Sequence, residues 1–69
     1  VKRTPVKSTN IAAIGYDSAS RTLEVEFKSG GVYEYKSVTP ATALAFKRAK
    51  SKGNYFASVI KNKYEGKKL

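Results

Sequence analysis

The sequence predicts a small α+β domain: a three-stranded antiparallel β-meander packed by a C-terminal two-helix hairpin, in the order β-β-β-α-α. Three observations carry this. Leu23, Val25 and Phe27 alternate with Thr22, Glu24, Glu26 and Lys28, the period of a strand with one buried and one wet face. Ser29-Gly30-Gly31 follows as a turn, and Val32 to Ser37 resumes the alternation. Beyond Val38 the period changes. Thr39 can cap a helix that Pro40 opens, and alanine-rich residues follow to Lys50.

In chain order, residues 1–9 form a basic arm with Pro5 as a breaker, expected to be extended. Ile11 to Asp17 is the first strand and Asp17-Ser18-Ala19-Ser20 a polar connection. For the hairpin, a two-residue Gly-Gly loop would set Phe27 opposite Glu34. A three-residue loop with a left-handed glycine sets Phe27 opposite Tyr33, Val25 opposite Tyr35 and Glu26 opposite Glu34. That register keeps the apolar residues on one face and is the one expected. Leu44 and Phe46 are the large apolar residues of the first helix, which Lys52-Gly53 should end. Asn54 should cap a second helix from Tyr55 to about Tyr64, with Phe56, Val59, Ile60 and Lys63 on one stripe. The single domain then spans 10–65, and residues 66–69 are a flexible tail.

Composition narrows the function classes. The 69 residues contain no cysteine and no histidine, which removes disulfides, thiolate metal sites and imidazole catalysis. A Ser or Thr nucleophile would need a lysine base, and no lysine sits in an apolar run that would lower its pKa. No phosphate-cradling glycine motif is present. A non-enzyme without cofactor, metal or small-molecule substrate is therefore expected. No apolar run approaches the ~20 residues of a membrane span and no signal-peptide pattern opens the chain, so the expected compartment is the cytoplasm.

The net charge of +9 is unevenly distributed. Val38 to Leu69 carries eight Lys or Arg against one acid, Glu65, while Ile11 to Ser37 has four acids against three bases. A directional positive field of this kind has a polyanion as its natural partner.

Three stretches bear on the family. S-T-N-I-A-A-I-G-Y-D, L-E-V-E-F-K-S-G-G-V-Y-E-Y and A-K-S-K-G-N-Y-F-A-S-V-I-K-N-K-Y occur in order. They contain a central Y-x-Y (Tyr33, Tyr35), an A-x-S-x-G-x-Y-F segment (Ala49 to Phe56) and a closing I-K-x-x-Y (Ile60 to Tyr64). Together they resemble the KTSC domain, a module of some lysyl-tRNA synthetase C-termini that also occurs as a free-standing protein. The resemblance covers about residues 6–64 and implies an RNA-binding role. In the family pattern proline directly follows valine, whereas here Thr39 separates Val38 from Pro40.

Each candidate site has a plainer competing explanation. Lys47, Arg48, Lys50, Lys52, Lys61 and Lys63 would contact phosphates, with Lys2, Arg3 and Lys7 as a flexible basic arm; the alternative is a solubilising face, which usually mixes both signs. Tyr55 would stack on a base or position a ribose. Ser51 to Tyr55 (S-K-G-N-Y) could hold an anion, although caps and turns use the same residues. Tyr33 and Tyr35 could be stacking platforms, but the register makes them core. Glu24, Glu26 and Glu34 could form a metal or acid-base site, yet an alternating-charge solvated face is the simpler reading.

The expected function is a small nucleic-acid-binding module, RNA favoured, with little sequence specificity. The alternative is a protein-interaction module docking on an acidic surface of a larger machine, and a structural appendage of a longer protein is a third possibility. A monomer is favoured, with a sheet-edge dimer as the other option.

Overall fold

The computed structural model describes residues 3–69, so Lys2 lies outside the described residues. Five strands form one antiparallel sheet in sequential order. They are β1 (Thr4–Pro5), β2 (Ile11–Asp17), β3 (Thr22–Phe27), β4 (Val32–Tyr35) and β5 (Gly66–Lys68). Between β4 and β5 the chain forms α1 (Pro40–Arg48) and then a continuous rod of three segments. These are α2 (Lys52–Tyr55), a π-helical turn (Phe56–Ile60) and α3 (Lys61–Lys63).

The α+β class and the helical pair agree with the sequence, but the sheet has five strands, not three. The two extra strands are the segments expected to be an arm and a tail. Thr4 pairs with Ile14 and Pro5 with Ala13. Proline is tolerated there because β1 is an edge strand. Gly66, Lys67 and Lys68 pair with Tyr35, Glu34 and Tyr33, and the Leu69 N–H donates to the Val32 carbonyl at 2.8 Å. Thr4 apart, neither segment contains a good strand former, so the edges of β2 and β4 impose the conformation.

The hairpin register is also corrected. Leu23 pairs with Tyr35, Glu24 with Glu34, Val25 with Tyr33 and Glu26 with Val32. This is a shift of two residues from the expected register, which leaves every side chain on its expected face. Hydrophobic alternation is blind to such a shift. The loop has the expected length but sits one residue earlier. Phe27 N–H donates to Gly31 O at 2.8 Å and Gly30 N–H to Phe27 O at 2.9 Å, with Gly30 at φ 106°. A turn closed by a left-handed residue needs glycine at that point.

The first helix begins as expected: Thr39 Oγ1 accepts the Thr42 N–H at 3.3 Å and Pro40 fills the first position. The residue inserted between Val38 and Pro40 is therefore the cap itself. The junction differs. The helix stops at Arg48, Ala49 is extended, and Ser51 Oγ accepts the Asn54 N–H at 3.3 Å. Ser51, not Asn54, is the second cap, and Gly53 lies inside the helix rather than ending the previous one.

One core joins the layers. Ile11, Ile14, Leu23 and Val25 from the sheet, Val38, and Phe46 and Ile60 from the helices are fully buried. Fully burying each such side chain is worth about 1.5–3 kcal/mol. Leu44, the other large apolar residue of the first helix, is exposed. Tyr35 is buried and Tyr16, Tyr33, Tyr55 and Phe56 pack against the cluster, as the core reading of the sheet tyrosines requires.

Candidate functional site

The charged residues divide between the two layers. On the outer sheet face, Gly15, Glu24, Glu34 and Lys67 lie in one row across β2, β3, β4 and β5. Arg3 precedes the Thr4–Ile14 pair and reaches over Gly15, which presents no side chain. Its Nη1 lies 2.6 Å from Glu24 Oε1 and its Nε 3.3 Å from Glu26 Oε1. The hydrogen bond to Glu24 is the main reason the guanidinium pKa is raised, with Glu26 adding to it against the cost of desolvation. Lys36 Nζ lies 3.4 Å from Glu34. The expectation of a solvated acidic face fails at Glu24, which is only 7% exposed. No group of three or more potential metal ligands occurs among the described residues.

The helical layer is different. Residues 40–63 contain six cations and no acid. Among the described residues, none of the six is in an ion pair. Lys47, Arg48, Lys50, Lys61 and Lys63 are exposed. Lys52 is partly engaged, because its Nζ donates to the Ala49 carbonyl at 3.0 Å where α1 ends. A cation there also suits the helix dipole. With Ser51 serving as a cap, the S-K-G-N-Y segment is the first turn of a helix.

The predicted site residues are not all brought together. Lys47 lies on the β1 flank with Thr4, Val6 and Ile14, whereas Lys61 faces the β3–β4 hairpin. Lys7 is exposed beyond β1, and Arg3 is held by the sheet acids. Tyr55 is half-buried, with one face stacked on Phe46 at 5.6 Å and 16°.

Sequence reasoning missed a groove. Between the hairpin, the segment leading into β2 and the helical rod lies an opening of about 650 Å³, lined by Asn10, Phe27, Lys28, Gly53, Phe56 and Lys61 among others. A second depression of about 410 Å³ shares Phe27, Phe56 and Lys61 and extends over Tyr33 and Tyr35. The rings meet nearly edge to face: Phe27 with Phe56 at 5.2 Å and 75°, Phe27 with Tyr33 at 5.6 Å and 79°, Tyr35 with Phe56 at 5.6 Å and 75°. Burial, and secondarily the neighbouring Tyr33, push the Tyr35 phenol above its ordinary pKa. The π-helical turn forms part of the groove wall, with the Lys61 N–H donating to the Phe56 carbonyl five residues back. The separate aromatic residues were visible in the sequence. Their convergence with Lys28 and Lys61 depends on the hairpin register and the wide turn.

The KTSC domain profile matches residues 7–64. The chain belongs to the KTSC domain family. A crystal structure of a KTSC domain protein from Yersinia pestis superposes with a TM-score of 0.95 at 41% identity, covering 99% of this chain and 96% of that one. An uncharacterized protein of Stutzerimonas stutzeri is 39% identical over 61 residues, covering 88% of this chain and 86% of its own length. A lysine–tRNA ligase of Nostoc punctiforme is 39% identical over 59 residues, which are 86% of this KTSC chain and 10% of the ligase. A second such ligase, from Trichormus variabilis, is 43% identical over 54 residues, again 10% of its length. The KTSC domain thus occurs both as most of a small protein and as a small part of a large one. Among the described residues, no helix is long and apolar enough to cross a membrane.

Proposed function

We propose that this KTSC domain is a nucleic-acid-binding module, RNA favoured, that holds the sugar–phosphate backbone through its helical layer. The observation that carries the reading is the division of charge. The sheet acids Glu24, Glu26 and Glu34 each have a cation beside them, while the helical cations have no ion-pair partner among the described residues. Unpaired cations on one layer set up the field that attracts a polyanion and releases its counterions. Occurrence within lysine–tRNA ligases, proteins whose name includes an RNA, supports RNA over DNA. Lys47, Arg48, Lys50, Lys61 and Lys63 supply the phosphate contacts, Lys52 and Tyr55 contribute what their packing leaves exposed, and Lys7 extends the patch. Arg3 is assigned to the sheet instead.

The test is a fluorescence-anisotropy titration with a short single-stranded RNA at 50 and 200 mM salt. If four cations engage phosphates, affinity falls by about fifty-fold across that range, since each contact contributes roughly 0.7 to the log–log salt slope on single strands. Absence of binding at low salt refutes the proposal. Recovery from cells of a protein partner that survives nuclease treatment, with no RNA binding in vitro, would favour docking on an acidic protein surface.

A further inference from the structure

The groove beside the hairpin has the chemistry of a base-binding site. Its lining includes Phe27 and Phe56 together with Lys28 and Lys61, and no acid among the described residues lines it. Because Phe27 and Phe56 meet at 75°, a flat heteroaromatic ring lying parallel to one is edge-on to the other, and both arrangements are favourable. Its volume of about 650 Å³ falls within the range of small-ligand sites.

Gly53 points the same way. It is helical, in a conformation that needs no glycine, and a Cβ there would meet only Asn10 Nδ2, at an ordinary 3.8 Å. Neither strain nor crowding within the fold accounts for a poor helix former at this position. Close approach of a ligand would account for it. The π-helical turn adds a third observation, since such turns are frequent at functional sites and this one forms the groove wall between Phe56 and Lys61.

We propose that the groove seats one unpaired base of a single strand, with the adjoining phosphates on Lys28 and Lys61; this rests on the nucleic-acid reading and deepens it. A base in a duplex is stacked and paired and cannot enter, so the groove makes the module prefer single strands. A run of Asp and Glu would satisfy the two lysines but bring no planar ring to Phe27 and Phe56. Lys28 was not among the residues expected from sequence to bind, and here it joins the site.

The experiment compares an eight-nucleotide single-stranded RNA, an RNA duplex and inorganic polyphosphate on the wild type and on Gly53→Gln and Phe56→Leu, with circular dichroism to verify folding. Gly53→Gln fills the groove without changing charge, and it is the deciding variant if Phe56→Leu fails to fold. The expected result is about a ten-fold loss of single-strand affinity, the effect of removing one stacked base, with duplex and polyphosphate binding unchanged. Single-strand affinity within two-fold of wild type in Gly53→Gln, or equal losses on polyphosphate, overturns the groove proposal while leaving the helical surface intact. A wild type that binds none of the three ligands refutes the parent reading and the groove with it.

Discussion

Replacing Gly66 by alanine tests how the last strand is fixed to the core. Gly66 lies directly across from Tyr35, and a Cβ built on it would fall 2.6 Å from Tyr35 Cε2 and 2.9 Å from Cζ. Reaching an ordinary contact of 3.4 Å requires a retreat of roughly 0.8 Å. The ring has little room, being 5% exposed and packed edge-on to Phe56 at 5.6 Å. Overpacking of this kind costs about 1–3 kcal/mol. In a domain this small each kcal/mol lowers Tm by about 4–8 °C, so Gly66→Ala should melt roughly 4–24 °C below wild type. Peeling β5 away would relieve the clash only by surrendering its backbone bonds to β4, including Leu69 N–H to Val32 O. Thermal unfolding followed by circular dichroism measures the loss. The same substitution in a Tyr35→Leu background isolates its cause, since the penalty should largely disappear there. A Tm within 2 °C of wild type, or an equal penalty in both backgrounds, would refute the argument.

Four further outcomes follow from the same geometry. Thr39→Ala should cost about 1 kcal/mol by removing the cap on Thr42 N–H, readable as a lower urea midpoint at unchanged slope. Arg3→Met should lower stability, because it removes the 2.6 Å contact to Glu24, yet leave the salt slope of RNA binding unchanged; a reduced slope would return Arg3 to the interface. Lys61→Gln and Lys63→Gln together should lower that slope by about 1.4, at roughly 0.7 per lost contact on a single strand. Asp17 should contribute to acid sensitivity: hydrogen bonds from Ser20 first, then the Ala19 N–H, hold its pKa below the ordinary value of 3.8. A carboxylate depressed in this way stabilises the fold above pH 3.8, and the contribution fades as pH falls from there through the lower folded value. Urea midpoints between pH 2 and 6 should therefore drop less steeply for Asp17→Asn than for wild type.

Legibility tracked the range of the interaction. Thr39 and Pro40 announced α1, and the alternation of Leu23, Val25 and Phe27 identified the buried face, because these signals are local. The two-residue register shift was invisible for a definite reason: Glu24 and Glu26 exchange roles across from Glu34 without any side chain changing face. The close opposition of Glu24 and Glu34 is eased by Lys36 beside Glu34 and by Arg3, which lies 21 residues from Glu24 in sequence. Strands β1 and β5 escaped notice because Thr4-Pro5 and Gly66-Lys67-Lys68 have no periodicity to read. Most of the cationic set was apparent from composition, but composition could not separate Arg3, committed to the sheet, from Lys28, which faces the groove.

The π-helical turn sets the angular phase of the residues that follow it. In a regular α-helix, positions five apart are rotated by about 140° from one another, so Phe56 and Lys61 would project to different sides of the rod. Here the bond from Lys61 N–H to Phe56 O makes one turn hold an additional residue, and both side chains border the same groove. Winding the same residues as an evenly pitched α-helix, with none removed, would rotate everything beyond by about one residue's 100° and carry Lys61 away from the hairpin. A better-wound helix of unchanged length would still close the hydrophobic layer at Phe46, but the cation and the ring would no longer be in phase.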